Sequence, residues 1–394
     1  MYLDELIDRR ESDSVKWNDE ILSQNNRADI IPMWIADMDF KAPQEVLDAI
    51  KKCADFGVFG YTRCPDRVTD SIHNWLKMKY QWEIDKQSII LNHNVVSSLS
   101  LALRALTEEG DKVLIHSPVY NPFFEQIKHL NRRVVSSALR VKDARYVMDF
   151  EDMEQKIDRE EVRCILICSP HNPGGRIWSE EELEKVLELS KTYHIPVISD
   201  EIHSDLVLFG KTHHPIAKLA GDDNAQIVTL MAPTKTFNLA GIGPSYILSF
   251  NKKLTERIKY LQTVMVYPQI NRFQIEAICA AYQYGCEWLR QLLSYIEQNI
   301  SLAKNILAAI PELQVMKQDA SYLMWVDYKK LAISEEVLRT ALIEASVFPQ
   351  MGSIYGPEGN HCIRINIAAP RQTVEEGLRR IVKAFQSVRA KVQN

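Results

Sequence analysis

Short apolar runs recur through the middle of the chain, and between them lie stretches whose apolar residues fall at helical spacing. The runs Lys112–His116, Cys164–Cys168, Pro196–Ser199, Gln226–Leu230 and Tyr246–Phe250 read as strands. Between the second and third, Ser179 and Glu182 have capping-box spacing, and Leu183, Val186, Leu187 and Ser190 follow at helical intervals, which completes one βαβ unit. This alternation predicts an α/β protein with a mostly parallel sheet flanked by helices. Two later apolar runs, Tyr322–Asp327 and Cys362–Ile367, are separated by a helical stretch near Ser334 to Ala345 and read as a separate small C-terminal domain. A long helical region from about Asn271 to Ala309 is placed to join the two lobes. The sequence shows no internal repeat, low-complexity segment or disordered linker.

With 394 residues the chain exceeds what one core usually organises, so a large and a small lobe are expected. Lys and Arg number 47 against 52 Asp and Glu, a net charge of −5 that offers no broad basic surface for nucleic acid. The N-terminus lacks the apolar core of a signal peptide and no run approaches the ~18 residues needed to span a bilayer, so a cytoplasmic protein with no membrane partner is expected. Seven cysteines, an odd number without a C-x-x-C pair, indicate neither a disulfide framework nor a zinc site. Cys164 and Cys168 lie in an apolar run and read as buried thiols.

Three motifs fall just after strand ends, at Ser169, Ser199 and Leu230, where open α/β sheets place ligands. They are Ser169-Pro-His-Asn-Pro-Gly-Gly175, Ser199-Asp-Glu-Ile-His203 and Ala232-Pro-Thr-Lys-Thr-Phe-Asn238. Singly each has an ordinary reading: a tight turn at Pro173-Gly174, a capping or turn aspartate at Asp200, a solvated loop lysine at Lys235. Together, with Asp200 28 residues after Asn172 and 35 before Lys235, they resemble the fold-type I family of pyridoxal 5′-phosphate (PLP) enzymes.

The resemblance implies that Lys235 links to the cofactor aldehyde and then acts as a base, that Asp200 faces the pyridine nitrogen, and that Asn172 donates to the phenolic oxygen. Thr234 and Thr236 are the hydroxyl residues that flank this lysine and help hold the phosphate. Tyr120, in Ser117-Pro-Val-Tyr-Asn-Pro122, matches the aromatic residue stacked on the ring, with an ordinary core aromatic as the alternative. Arg364 is a lone cation on the apolar strand Cys362–Ile367. By resemblance it joins Asn172 in binding the substrate α-carboxylate, and a structural salt bridge is the alternative.

Wider likeness narrows the family. Trp34-Ile-Ala-Asp-Met-Asp-Phe40, Gly57-Val-Phe-Gly-Tyr-Thr-Arg63, Asp200-Glu-Ile-His203 and Lys235-Thr-Phe-Asn-Leu-Ala240 are similar to the MalY/PatB group of cystathionine β-lyase-like C–S lyases. Most aminotransferases of this fold carry Tyr at the place of His203, here counted among the cofactor-binding candidates, and an Arg eight residues after the lysine, where this chain has Gly243. Relatives usually place a small residue in the phosphate turn, whereas this chain reads Leu91-Asn-His-Asn-Val-Val96. The backbone N–H groups of Val95 and Val96 at a helix N-terminus are the candidates there. Gly241-Ile-Gly243 and Pro233-Thr-Lys235 lack the glycines of dinucleotide and nucleotide loops.

The implied protein has the fold-type I PLP-dependent transferase fold, with a large, mostly parallel central sheet domain and a smaller α/β C-terminal domain. Its expected divisions are an N-terminal segment 1–45 packing with the small domain, a PLP-binding domain 46–285 and a small domain 286–394. The implied activity is β-elimination from cystathionine or another S-substituted cysteine. An aminotransferase on the same scaffold is the nearest rival, and a regulatory binding role is another. Tyr61 is implied to reach the phosphate of a neighbouring subunit, so the expected state is a homodimer with shared active sites that takes a small amino-acid substrate.

Overall fold

A computed structural model describes residues 3–18, 29–221, 225–266 and 270–393. Its larger sheet runs, from edge to edge, Ile89–Asn92, Ser245–Leu248, Ile227–Met231, Val197–Asp200, Val162–Cys168, Lys112–Ser117 and Arg133–Ala138. From Ile227–Met231 to Arg133–Ala138 every pairing is parallel, and Ser245–Leu248 alone is reversed against both its neighbours. All five expected strands are present within one or two residues of their expected ends.

Both faces of this sheet are covered. Along Val162–Cys168, Cys164 and Leu166 enter the apolar cluster beneath the helices Val95–Leu106, Pro122–His129 and Lys252–Val264. Ile165 and Ile167, on the opposite face, enter the main core. The period of two is thus present, but hidden in the sequence because both faces are apolar. The helix Glu180–Tyr193 starts on a complete capping box: the Ser179 hydroxyl accepts from the Glu182 amide at 3.2 Å, and Glu182 accepts from the Ser179 amide at 2.8 Å. Such a cap stabilises a helix start by about 1 kcal/mol.

A smaller sheet has the order Ile31–Met33, Val347–Met351, Cys362–Asn366, Leu323–Asp327 and Gln314–Val315. Its first strand comes from the N-terminal segment and pairs in parallel with Val347–Met351. Residues 1–2 and 19–28 of that segment lie outside the described residues. The helices Glu335–Glu344, Arg371–Gln393 and Cys286–Leu307 pack together beside the sheet.

The long helical region is two helices, Arg272–Tyr284 and Cys286–Leu307, rather than one. Gly285 lies between them, where a side chain would collide with the Phe237 ring and the Ala281 carbonyl. Cys164 and Cys168 are buried thiols, and all seven cysteines are free. Among the described residues no helix is long and apolar enough to cross a membrane.

Candidate active site

Neighbouring parallel strands end together, and the sheet register shows the result: Cys168 lies beside Asp200, and Asp200 beside Leu230. The turns that follow these residues carry Asn172, His203 and Lys235, so the motifs meet at one sheet edge. A cavity of about 320 Å³ opens there. Lys235, Asp200, Asn172, His203, Tyr120, Val95 and Arg364 all line it. Arg364 arrives from the smaller sheet, where it sits in register between Trp325 and Gln350.

Electrostatics in the cavity are unusual. Lys235 donates from Nζ to the Ala36 carbonyl at 2.5 Å. Burial, and next the Arg364 charge, lower its pKa to about 8 against the pull of Asp37 and Asp200. Asp200 is 2% exposed, and its carboxylate accepts from the Ile202 amide at 3.2 Å. Burial raises its carboxyl to about 7, and no ion pair to it is present among the described residues. Desolvation penalises the charged form in both cases, which moves a lysine down and a carboxyl up. Burial, with Lys235 and Arg364 adding repulsion, likewise lowers His203 to about 3, so its ring is neutral at ordinary pH. The His203 Nδ1 atom is buried without a partner. Tyr120 is pushed up to about 12 by burial and remains a neutral phenol.

Arg364 makes no ion pair among the described residues, which removes the salt-bridge alternative. It donates to Asn172 Oδ1 at 3.1 Å and to the Trp34 carbonyl at 2.7 Å, and it lies over the Tyr355 ring with 5.1 Å to the centroid. Its Nε atom is buried and unpartnered. A buried guanidinium that lacks a carboxylate is an anion site in waiting.

At the other end of the cavity the strand Ile89–Asn92 turns into the helix Val95–Leu106. Asn94 caps this helix by accepting from the Ser97 amide at 2.8 Å, in an extended conformation with φ −155° that needs no glycine. The amides of Val95 and Val96, first in the helix, have no intrahelical partner and can hold an anion. Val95 lines the cavity; Val96 and Thr234 lie just outside its lining. Gly243 has φ +85°, and a Cβ there would stand 3.0 Å from the His93 carbonyl of the same turn. A larger residue is strained at that position.

One sequence expectation comes out differently in place. The Thr236 hydroxyl is buried and donates to Asp205 at 2.9 Å, so it is not turned toward the cavity. Asp205 also accepts from Trp75 Nε1 at 3.0 Å and the Tyr80 hydroxyl at 2.7 Å, which anchors the turn that bears Lys235. Tyr61 is fully exposed, in the connection between the helices Gln44–Phe56 and Asp66–Tyr80, and lines no part of the cavity in its own chain. The sequence reading also missed the wall formed by Trp34, Ile35 and Ala36 and by Gln350, Ile354 and Tyr355. The signal for the first of these was two aspartates, Asp37 and Asp39, in an otherwise apolar run.

Comparison with known proteins agrees with this geometry. Residues 28–381 match the model of the aminotransferase class I and II family, and the chain belongs to that family. Enzymes of this family depend on PLP. The cystathionine beta-lyase PatB of Bacillus subtilis (strain 168) is 39% identical over 98% of this chain and 100% of its own length. Cystalysin from Treponema denticola, solved with a pyridoxal 5′-phosphate cofactor, superposes with a TM-score of 0.93 at 31% identity, covering 98% of this chain and 99% of its own. The PLP-bound C–S lyase of Staphylococcus hominis does so with a TM-score of 0.90 at 30% identity, over 97% and 98% respectively.

Proposed function

We propose that the protein is a PLP-dependent carbon–sulfur β-lyase that converts cystathionine or a related S-substituted cysteine, with water, to a thiol, pyruvate and ammonia. The observation that carries this reading is one cavity holding an amine whose pKa is lowered to about 8 and, among the described residues, a buried carboxyl and a buried guanidinium that make no ion pair. These needs match the cofactor's aldehyde, its protonated ring nitrogen and the substrate carboxylate. When bound, the cofactor supplies an electron-accepting ring that makes the substrate Cα–H bond acidic.

Lys235 would hold the cofactor through its amine, and it is the group placed to take the substrate Cα proton. With a pKa of about 8, roughly a tenth of it is free amine at pH 7 and about half at pH 8. Asp200 would hold a proton on the ring nitrogen, and Asn172 would donate from its amide to the phenolic oxygen. The Val95 and Val96 amides and the Thr234 hydroxyl would hold the phosphate, and Tyr120 would pack on the ring. His203, neutral and apolar-faced against Tyr322, adds no positive charge beside Lys235. Arg364 aligns the substrate by its carboxylate so that the Cα–H bond faces Lys235.

Elimination rather than transamination is supported by His203 and Gly243, which stand where aminotransferases of this fold carry Tyr and Arg, and by the likeness to PatB. The deciding assay incubates the protein with L-cystathionine and measures pyruvate and free thiol together. Keto acid formed only with 2-oxoglutarate, without thiol, would establish the aminotransferase instead.

The same reading includes a homodimer in which Tyr61 completes the partner's phosphate site. Its support is an exposed apolar loop, Val58, Phe59 and Tyr61, and a phosphate turn whose neighbour is Gly243 rather than a cation. It also includes the division at 45/46 and 285/286 into segment, large domain and small domain, supported by the N-terminal strand in the smaller sheet and the break at Gly285. A cytoplasmic location is supported by the seven free thiols.

A further inference from the structure

The loop from Trp34 to Phe40 is held from two sides. On the inner side, Asn366 donates to the Ile35 and Asp37 carbonyls, each at 2.6 Å. Asn238 accepts from the Met38 amide at 3.0 Å and donates to the Phe40 carbonyl at 2.8 Å. On the outer side the N-terminal arm supplies two cations. Arg9 pairs with both oxygens of Asp37, at 2.9 and 3.1 Å, and with Asp39 at 2.6 Å. Lys16, only 1% exposed, pairs with Asp39 at 2.8 Å, and the Trp17 indole donates to the same carboxylate at 3.0 Å. The Trp34 indole closes the circuit by donating to the Lys16 carbonyl at 3.1 Å.

This loop faces the chemistry. Its Trp34 carbonyl accepts from Arg364, and its Ala36 carbonyl accepts from both Lys235 and the Tyr322 hydroxyl. Arg9 lines no part of the cavity. Two carboxylates two residues apart repel each other unless cations lie between them, and removing one partner of a buried charge cluster leaves the rest uncompensated. The loop's shape therefore depends on the arm.

We propose that Arg9 is a positioning residue for the active site: by bridging Asp37 and Asp39 it fixes the loop whose Trp34 and Ala36 carbonyls orient the Arg364 guanidinium and the Lys235 amine. The inference rests on the reading of Arg364 as the substrate-carboxylate site. In the holoenzyme the Lys235 amine would be held by the cofactor, whereas the guanidinium still leans on the Trp34 carbonyl, so the effect of losing Arg9 falls on KM ahead of kcat.

The test compares wild-type holoenzyme with Arg9→Gln and Arg9→Lys, using L-cystathionine. Arg9→Gln is expected to raise KM about tenfold, equivalent to about 1.4 kcal/mol, with kcat changed far less, and Arg9→Lys is expected to recover part of the loss. Amide exchange of the peptide covering residues 34–40, read by mass spectrometry in the cofactor-free protein, is expected to speed up in Arg9→Gln. A lower Tm with unchanged KM and unchanged exchange in that peptide would overturn the proposal and leave the arm a purely structural clamp. Should Arg9→Gln not fold, Asp37→Asn breaks the same bridge and is read by KM and by exchange of that peptide, because the Asp37 charge also acts on the Lys235 amine. Absence of thiol release by the wild type would defeat the lyase reading instead, and the exchange measurement would still decide the role of Arg9.

Discussion

Arg364 donates to the side-chain oxygen of Asn172 at 3.1 Å, across 192 positions of sequence. A guanidinium can only donate, so it fixes which end of the Asn172 amide faces it and leaves the amide nitrogen to donate elsewhere. The same bond ties the smaller sheet to the turn that follows Val162–Cys168. The proposed substrate-carboxylate and cofactor sites therefore share a contact, and a change in the angle between the sheets is expected to alter both.

Arg364→Ala is expected to lower kcat/KM by about 2–5 kcal/mol, the range for removing one partner of a buried charge pair. Arg364→Lys is expected to rescue little, since an ammonium cannot offer a planar fork. The visible cofactor band is expected to persist in both variants. Steady-state kinetics with an S-substituted cysteine check this, and an unchanged kcat/KM would return Arg364 to a structural role.

Lys235→Ala is expected to slow thiol release by at least about 10³-fold, since a positioned base alone contributes about 10²–10⁴. Borohydride treatment of the wild type is expected to fix the cofactor on the peptide containing Lys235, as read by mass spectrometry. Labelling of another lysine, or a fully active Lys235→Ala protein, would sink the mechanism.

The cofactor-free protein is expected to show two opposed pH dependences. Asp200 is raised to about 7, chiefly by burial, so the folded state keeps a proton that the unfolded chain releases near pH 4. Its contribution to stability therefore falls as pH rises from about 4 through 7. Lys235 is lowered to about 8, chiefly by burial and then by Arg364, so the folded state has lost a proton that the unfolded chain keeps to about pH 10.4. Its contribution rises over about pH 8 to 10.4. Urea titrations of wild type, Asp200→Asn and Lys235→Met across this range separate the two. A stability difference between wild type and Asp200→Asn that stays constant from pH 4 to 7 would contradict the first.

Mixing inactive Lys235→Ala chains with impaired Tyr61→Ala chains is expected to restore activity, because a mixed dimer contains one site with both residues intact. Mass-tagged chains report subunit exchange. Fully mixed heterodimers without recovered activity, or an active monomer in sedimentation, would rule out the shared site.

Much of this was legible in the sequence because parallel strands announce themselves as apolar runs, and because their shared edge gathers whatever residues follow them. Lys235, Asp200 and Asn172 follow such strands, and it was the resemblance of their ordered motifs to the PLP enzymes that singled them out. The strand Ile31–Met33 was not legible, being three residues long with its partner far off in the chain. The cluster of Arg9, Lys16, Asp37 and Asp39 was also missed: two of its charges lie on the arm and two on the loop, with no periodic spacing to link them. Thr236 was misread because a hydroxyl beside a reactive lysine looks functional until Asp205 is seen to hold it. Asn94 stood out as a departure from a small-residue turn, yet its extended backbone and side-chain cap make it an ordinary helix start.

The pairing of Ile31 with Val347 carries a consequence for how the chain is made. A ribosome adding roughly 5–20 residues per second delivers the second of these tens of seconds or more after the first. Once Leu248 has been added, the larger sheet, whose strands all lie between Ile89 and Leu248, has everything it needs to form, while the N-terminal strand still waits with an open edge. The smaller sheet can close only when Val347–Met351 emerges, which makes the emergence of the C-terminal quarter the event that completes the wall of the catalytic cavity. Newly made chains truncated before that point would carry Lys235 and Asp200 in place but no Arg364.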